Sequence, residues 1–163
     1  MIFGMTTFTF VHVLLSLIGI AAGLVVLRGL LASNAGTGWT STFLAATAAT
    51  SLTGFLFPFH GVTPAIVLGV LSLIVLAAAV AGRYAFRFAG PWRWIYAAGS
   101  VTALYFNVFV LVVQSFEKLP ALHALAPTTP PSGPAFVAVQ ALTPVVFVVM
   151  GVLAVRRFRP AGV

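Results

Sequence analysis

Residues 8–31 read FTFVHVLLSLIGIAAGLVVLRGLL, an apolar run long enough to cross a hydrocarbon core of about 30 Å as one helix. Small and polar residues recur in this run every three or four positions, so they share one helical face: His12, Ser16, Gly19 and Gly23. Gly19 and Gly23 form a GxxxG motif, which lets helices approach closely in lipid. We therefore expect a transmembrane helix whose small-residue face, including His12, looks into a bundle.

Four further apolar stretches of similar length follow, at residues 39–59, 64–86, 94–116 and 134–155. Hydrophobic residues make up 61% of the chain, charged residues 6%, and the mean hydropathy is +1.17, all typical of a protein in lipid. The sequence therefore predicts a single all-α domain, residues 1–163, built as an integral membrane bundle of five transmembrane helices. The Pro-rich segment 117–133 is expected to form a short, partly extended loop between the fourth and fifth spans.

The basic residues predict an orientation. Cytoplasmic loops collect Lys and Arg during insertion, and with five spans every arginine falls on one side. This favours an outside N-terminus and a cytoplasmic C-terminus. The net charge of +7 is then a topology signal, and we expect the lipid bilayer rather than nucleic acid as partner. The predicted anchors beyond Arg28 are Arg83, Arg87, Arg93, Arg156, Arg157 and Arg159.

A second small-residue face lies in the second span, where Ala46, Thr50 and Gly54 are spaced by four residues. We expect this face to pack against Gly19 and Gly23, which would make the first two spans neighbours.

Several polar side chains fall in the outer halves of the predicted spans or in the outer loops. They are candidates for ligand binding, and the alternative is that they only hydrogen-bond between helices. The set is His12, His60, Asn107, Gln114 and Gln140.

Two histidines from this set, His12 and His60, are candidate ligands of haem b or copper, because neutral imidazole binds both. No close spacing of metal ligands supports the pair, and the two residues come from different segments. A quinone is a third candidate. The sequence does not decide between haem b, copper and a quinone.

Catalytic motifs are missing from the sequence. Glu117 is the only acid and no cysteine occurs, so paired carboxylates, a Ser-His-Asp triad and thiolate chemistry are excluded within the chain. We therefore predict that the protein is not an enzyme.

Two segments, TGFLFPFHGVTPA at residues 53–65 and ALYFNVFVLVVQ at residues 103–114, resemble recurring segments of small uncharacterised multi-pass proteins of bacteria. The resemblance extends loosely over most of the chain. It implies a location in the bacterial cytoplasmic (inner) membrane and no particular activity.

Three functions follow as hypotheses. The first is a non-catalytic accessory or assembly partner of an inner-membrane complex, associated with other membrane subunits or with copies of itself. The second is an outward-facing protein that binds a cofactor or small ligand through His12 and His60. The third is a passive transporter.

Overall fold

The computed structural model describes residues 5–36, 38–58 and 63–160, and these form α-helices joined by turns. The helices are α1 (Thr7–Leu31), α2 (Gly38–Gly54), α3 (Pro64–Val80), α4 (Trp92–Lys118), α5 (Pro120–His123) and α6 (Pro134–Arg157). The last turn of α3 widens into a π-helical turn, Ala81–Ala85.

The helix starts follow ordinary capping chemistry. The hydroxyl of Thr6 accepts from the backbone N–H of Thr9 at 3.1 Å, and the hydroxyl of Thr63 accepts from Ile66 at 3.4 Å. Proline occupies the first turn of α3 and of α6, where its missing N–H costs nothing.

Four helices are long and apolar enough to cross a membrane: Thr7–Leu31, Pro64–Ala85, Trp92–Lys118 and Pro134–Arg157. This confirms the all-helical membrane bundle. The second of the five predicted spans, α2, is not among these four helices. It has 17 residues and is about 26 Å long. That helix ends at Gly54, because the next residues close tight turns and Pro58 disfavours helix in the residue before it.

The number of helices also differs from the prediction. The described residues contain six α-helices rather than five, because Pro120–His123 forms one helical turn within the Pro-rich segment. Proline at the first position starts such a turn without strain. The predicted loop is therefore helical in part.

Helices α1, α2, α3 and α4 form a closed ring. Contacts run from α1 to α2, from α2 to α3, from α3 to α4 and from α4 back to α1. Helix α6 lies outside this ring, against α4 and, over a smaller area, α1. Ala154 of α6 joins the buried apolar cluster that the four ring helices form.

The closest packing inside the ring is at Gly23. A methyl group added to Gly23 would lie 2.6 Å from Leu104 Cδ1 and 2.9 Å from Phe43 Cε2, so these side chains would have to move to make room for it. Phe43 and Leu104 are themselves fully enclosed. We call these three residues, from α1, α2 and α4, the glycine layer.

The arginines lie at the end of the bundle where α1 and α6 finish. Arg83 donates to the carbonyls of Ala35 at 2.8 Å and Gly36 at 2.6 Å, and Arg93 donates to those of Val155 and Phe158. The N–H of Arg159 donates to the Ser33 hydroxyl at 2.7 Å. The Arg83 contacts join the π-helical turn to the turn after α1. The Arg93 contacts join α4 to the end of α6, and the Arg159 contact joins the residues after α6 to the turn after α1. We call this the arginine end.

Replacing Gly23 with valine should lower the free energy of unfolding by about 1–3 kcal/mol, because the added methyl groups overpack the glycine layer. The measurement is the thermal midpoint of the purified protein in detergent. Gly38→Val is the matched control, since nothing lies within 4 Å of a methyl group there. Equal midpoints for the two variants would contradict the close packing.

Candidate functional site

A cavity of about 120 Å³ lies inside the four-helix ring, in the half away from the arginine end. Each of the four helices contributes to its wall. The polar lining consists of His12 and Ser16 from α1, Thr50 and Ser51 from α2, Ser72 from α3 and Asn107 from α4. Polar groups from four helices therefore converge inside a bundle whose outer surface is apolar.

The volume limits what can enter. An apolar cavity of about 150 Å³ accommodates a benzene ring, and pockets for drug-sized ligands measure roughly 300–1,000 Å³. A cavity of about 120 Å³ therefore suits one six-membered ring or a few water molecules. Its lining includes the exposed residues Ala65 and Val110, so the cavity reaches the surface of the bundle between α3 and α4.

His12 is held on one side of the cavity by α2. Its Nδ1 lies 2.8 Å from the Thr53 hydroxyl, and its ring meets the Phe57 ring edge-on with centroids 5.0 Å apart. A methyl group at Gly54 would lie 3.7 Å from His12 Cε1, at ordinary van der Waals distance. The histidine is therefore held by its hydrogen bond to Thr53 and by contact with the Phe57 ring just after α2.

Asn107 closes the cavity toward the glycine layer. Its Nδ2 donates to the Thr47 hydroxyl at 3.0 Å, and this pair is buried next to Gly19. A methyl group at Gly19 would lie 3.1 Å from Thr47 Oγ1. Both glycines of the GxxxG motif thus pack against α2 and α4. Gly19 lies beside the polar pair Thr47 and Asn107, and Gly23 lies beside the apolar pair Phe43 and Leu104.

The other hydroxyls of the cavity divide into paired and unpaired groups. Ser51 donates to Ser72 at 3.1 Å, which joins α2 to α3. Thr50 Oγ1 is shielded from solvent and has no hydrogen-bond partner in the described part of the chain. A buried hydroxyl without a partner is costly, so the Thr50 hydroxyl suits a ligand or a water molecule in the cavity.

The candidate residues predicted from the sequence are only partly brought together. His12 and Asn107 line one cavity. Gln114 is exposed and donates to Glu117 at 3.3 Å. Gln140, on α6, has both amide atoms shielded and unpartnered among the described residues, and it is not in the cavity lining. His60 lies outside the described residues, so its distance from His12 is not defined.

Sequence reasoning treated Thr50 as a packing residue and did not select Ser16, Ser51 or Ser72 as ligand candidates. Ser16 lies on the same helical face as His12, and that spacing could have indicated it. Ser51 and Ser72 become neighbours only through the packing of α2 against α3, which leaves no pattern in the sequence.

A second depression, about 330 Å³, lies between α4 and α6 on the outside of the ring. Its walls are mainly apolar, with Tyr105, Pro144 and Phe147 among them. No cluster of three or more His, Cys, Asp or Glu residues that would suit a metal occurs within residues 5–36, 38–58 and 63–160. The His12 cavity is therefore the candidate site with convergent polar groups.

Comparison with known proteins does not assign the chain to a class, because no family model, curated protein or solved structure matches it. The resemblance to small multi-pass bacterial proteins stays a prediction, and the cavity is the feature of the molecule that bears on its function.

Proposed function

We propose that this chain is a non-catalytic multi-pass protein of the bacterial inner membrane that binds a small, uncharged, ring-sized molecule in the His12 cavity. The observation that carries the proposal is the convergence of six polar residues from four helices on one small cavity. Polar side chains inside membrane bundles are costly and usually mark functional positions.

The chemistry of the lining favours an uncharged ligand. It contains hydroxyls, an amide and an imidazole, and no Asp, Glu, Lys or Arg lies among the described residues of the wall. A charged molecule would lose its hydration there without an opposite charge to replace it. An uncharged ring with one or two polar atoms meets both the apolar and the polar parts of the wall.

Binding is favoured over passive transport by the glycine layer. This layer lies directly beyond Asn107 and Gly19, and it closes the ring interior between the cavity and the arginine end. An accessory or assembly role stays a prediction from the sequence, because the exposed apolar face of α6 suits lipid as well as another subunit.

The proposed topology has five spans, with the N-terminus outside and the C-terminus in the cytoplasm. Two features support it. Helix α2 is a full member of the ring, so it runs through the same apolar layer as its neighbours. The arginine end also gathers basic side chains from three separate segments, as a cytoplasmic face does.

Ligand binding is tested with 4-fluorophenol, followed by ¹⁹F NMR in nanodiscs, with empty nanodiscs as the baseline. We expect a protein-dependent signal that Ala65→Phe weakens about tenfold or more, because the phenyl ring obstructs the cavity. Ala77→Phe, the same change at an exposed alanine of α3 outside the cavity, should bind like the wild type. The absence of any protein-dependent signal, or equal binding by both variants, would refute the proposal. So would a haem absorption band or stoichiometric copper in the purified protein, since either would favour the cofactor alternative.

The topology is tested with single cysteines, which are unambiguous reporters because the natural chain contains none. Ala121→Cys, in α5, should react in intact cells with a thiol reagent that does not cross the membrane. Ala89→Cys, in the turn before α4, should react only after the cells are lysed. The reverse pattern, or reaction of both in intact cells, would exclude the proposed orientation.

A further inference from the structure

The hydrogen bonds of Thr53 indicate which ring nitrogen of His12 carries the proton. The Thr53 hydroxyl lies 2.7 Å from the carbonyl of Ala49, one turn back along α2, and 3.2 Å from the carbonyl of Thr50. Thr hydroxyls in helices commonly donate to the carbonyl four residues earlier, and we assign the single Thr53 proton to that bond. With this assignment, the 2.8 Å contact runs from His12 Nδ1–H to Thr53 Oγ1.

This tautomer makes Nε2 of His12 a hydrogen-bond acceptor. A neutral imidazole carries one N–H, and the other nitrogen presents a lone pair. The neutral form is the one that suits a half-buried ring in a cavity whose lining has no acid. Within the described residues, Nε2 has no hydrogen-bond partner of its own. Since His12 lines the cavity, Nε2 is the ring nitrogen left free to accept a hydrogen bond from a ligand.

The other polar groups of the wall are partly committed to the protein. Asn107 Nδ2 donates to Thr47, and Ser51 donates to Ser72. The Thr50 hydroxyl has no partner among the described residues, but its oxygen is shielded. The Ser16 hydroxyl and Asn107 Oδ1 also have no hydrogen-bond partner among those residues. A ligand that donates one hydrogen bond to His12 can therefore accept a second one from a hydroxyl of the wall.

We propose that the ligand of the His12 cavity carries a ring hydroxyl, as a phenol or a quinol headgroup does, and that this O–H donates to His12 Nε2. The inference rests on the proposed function, since it names the class of molecule that the cavity takes. An oxidised quinone has carbonyl oxygens in place of the hydroxyls, so it lacks the donor that Nε2 requires.

The test compares 4-fluorophenol with 4-fluorotoluene, which has a methyl group in place of the hydroxyl. Both are followed by ¹⁹F NMR in nanodiscs and corrected for partition into empty nanodiscs. We expect the wild-type protein to prefer the phenol about tenfold, the contribution of one hydrogen bond. His12→Phe keeps an aromatic ring in the cavity wall and removes the acceptor, so this preference should disappear.

Thr53→Val provides a second variant that keeps the side-chain shape and leaves His12 in place. Without the acceptor for Nδ1–H, the ring is no longer fixed in one tautomer, so the preference for the phenol should fall to an intermediate value. A ¹⁵N shift of His12 Nε2 on addition of 4-fluorophenol would report the contact directly.

The outcomes separate this inference from the proposed function. If both probes bind the wild type equally, the proposal that the ligand carries a ring hydroxyl is refuted, while binding in the cavity is supported. If neither probe binds, the proposed function fails, and the inference fails with it. A preference for the phenol that survives in His12→Phe would place the acceptor elsewhere and overturn the role of His12.

Discussion

The contact of Gly23 with Phe43 and Leu104 determines the shape of the bundle. In lipid no hydrophobic force draws helices together, so their association depends on close packing and on hydrogen bonds between them. A residue without a side chain lets α1 come near α2 and α4 at one level, and the two large side chains fill the space that remains. One turn away, the same face of α1 carries Gly19 beside Thr47 and Asn107. The change from apolar to polar neighbours along this single face is where the cavity begins.

The unpaired polar groups of the ring show the same division. Thr50 lies on the cavity side of the glycine layer, whereas the hydroxyls of Ser100 and Tyr96 lie on the side of the arginine end, and all three are shielded and lack partners among the described residues. Hydroxyls of this kind cost stability in an apolar bundle, so a protein that only needed to fold would gain from replacing them. At the arginine end, the guanidinium of Arg83 lies within 5.9 Å of the Tyr96 ring centre, and it donates hydrogen bonds to backbone carbonyls. On the other side of the glycine layer, the wall of the His12 cavity contains no charged side chain among the described residues.

The long helices could be predicted from the sequence because their apolar runs are continuous and their ends carry proline, glycine or arginine. Helix α2 was predicted too long, since the apolar residues after Gly54 maintain the hydropathy while the backbone already turns. The predicted loop of residues 117–133 is helical at Pro120–His123, because proline at the first position of a helix can begin a turn as well as favour extended chain. His12 and Asn107 could be selected individually, as polar residues in apolar spans. Their position around one cavity could not, because it depends on how far α1 is rotated against α2 and α4. The hydrogen bond from His12 to Thr53 left no signal of its own, since it joins residues 41 positions apart.

The division of the interior by the glycine layer is tested most directly with two single-cysteine proteins, Ser16→Cys in the cavity and Ser100→Cys beyond the layer. Both are treated in sealed, oriented membranes with an uncharged thiosulfonate reagent whose polar sugar group keeps it from crossing the membrane, added first on the outer side and then on the cytoplasmic side. The cysteine at position 16 should react from the outer side, and the cysteine at position 100 should stay unreacted from that side throughout. Reaction of both cysteines at similar rates from the outer side would show a continuous aqueous path, and a cavity that ends at the glycine layer would then be excluded.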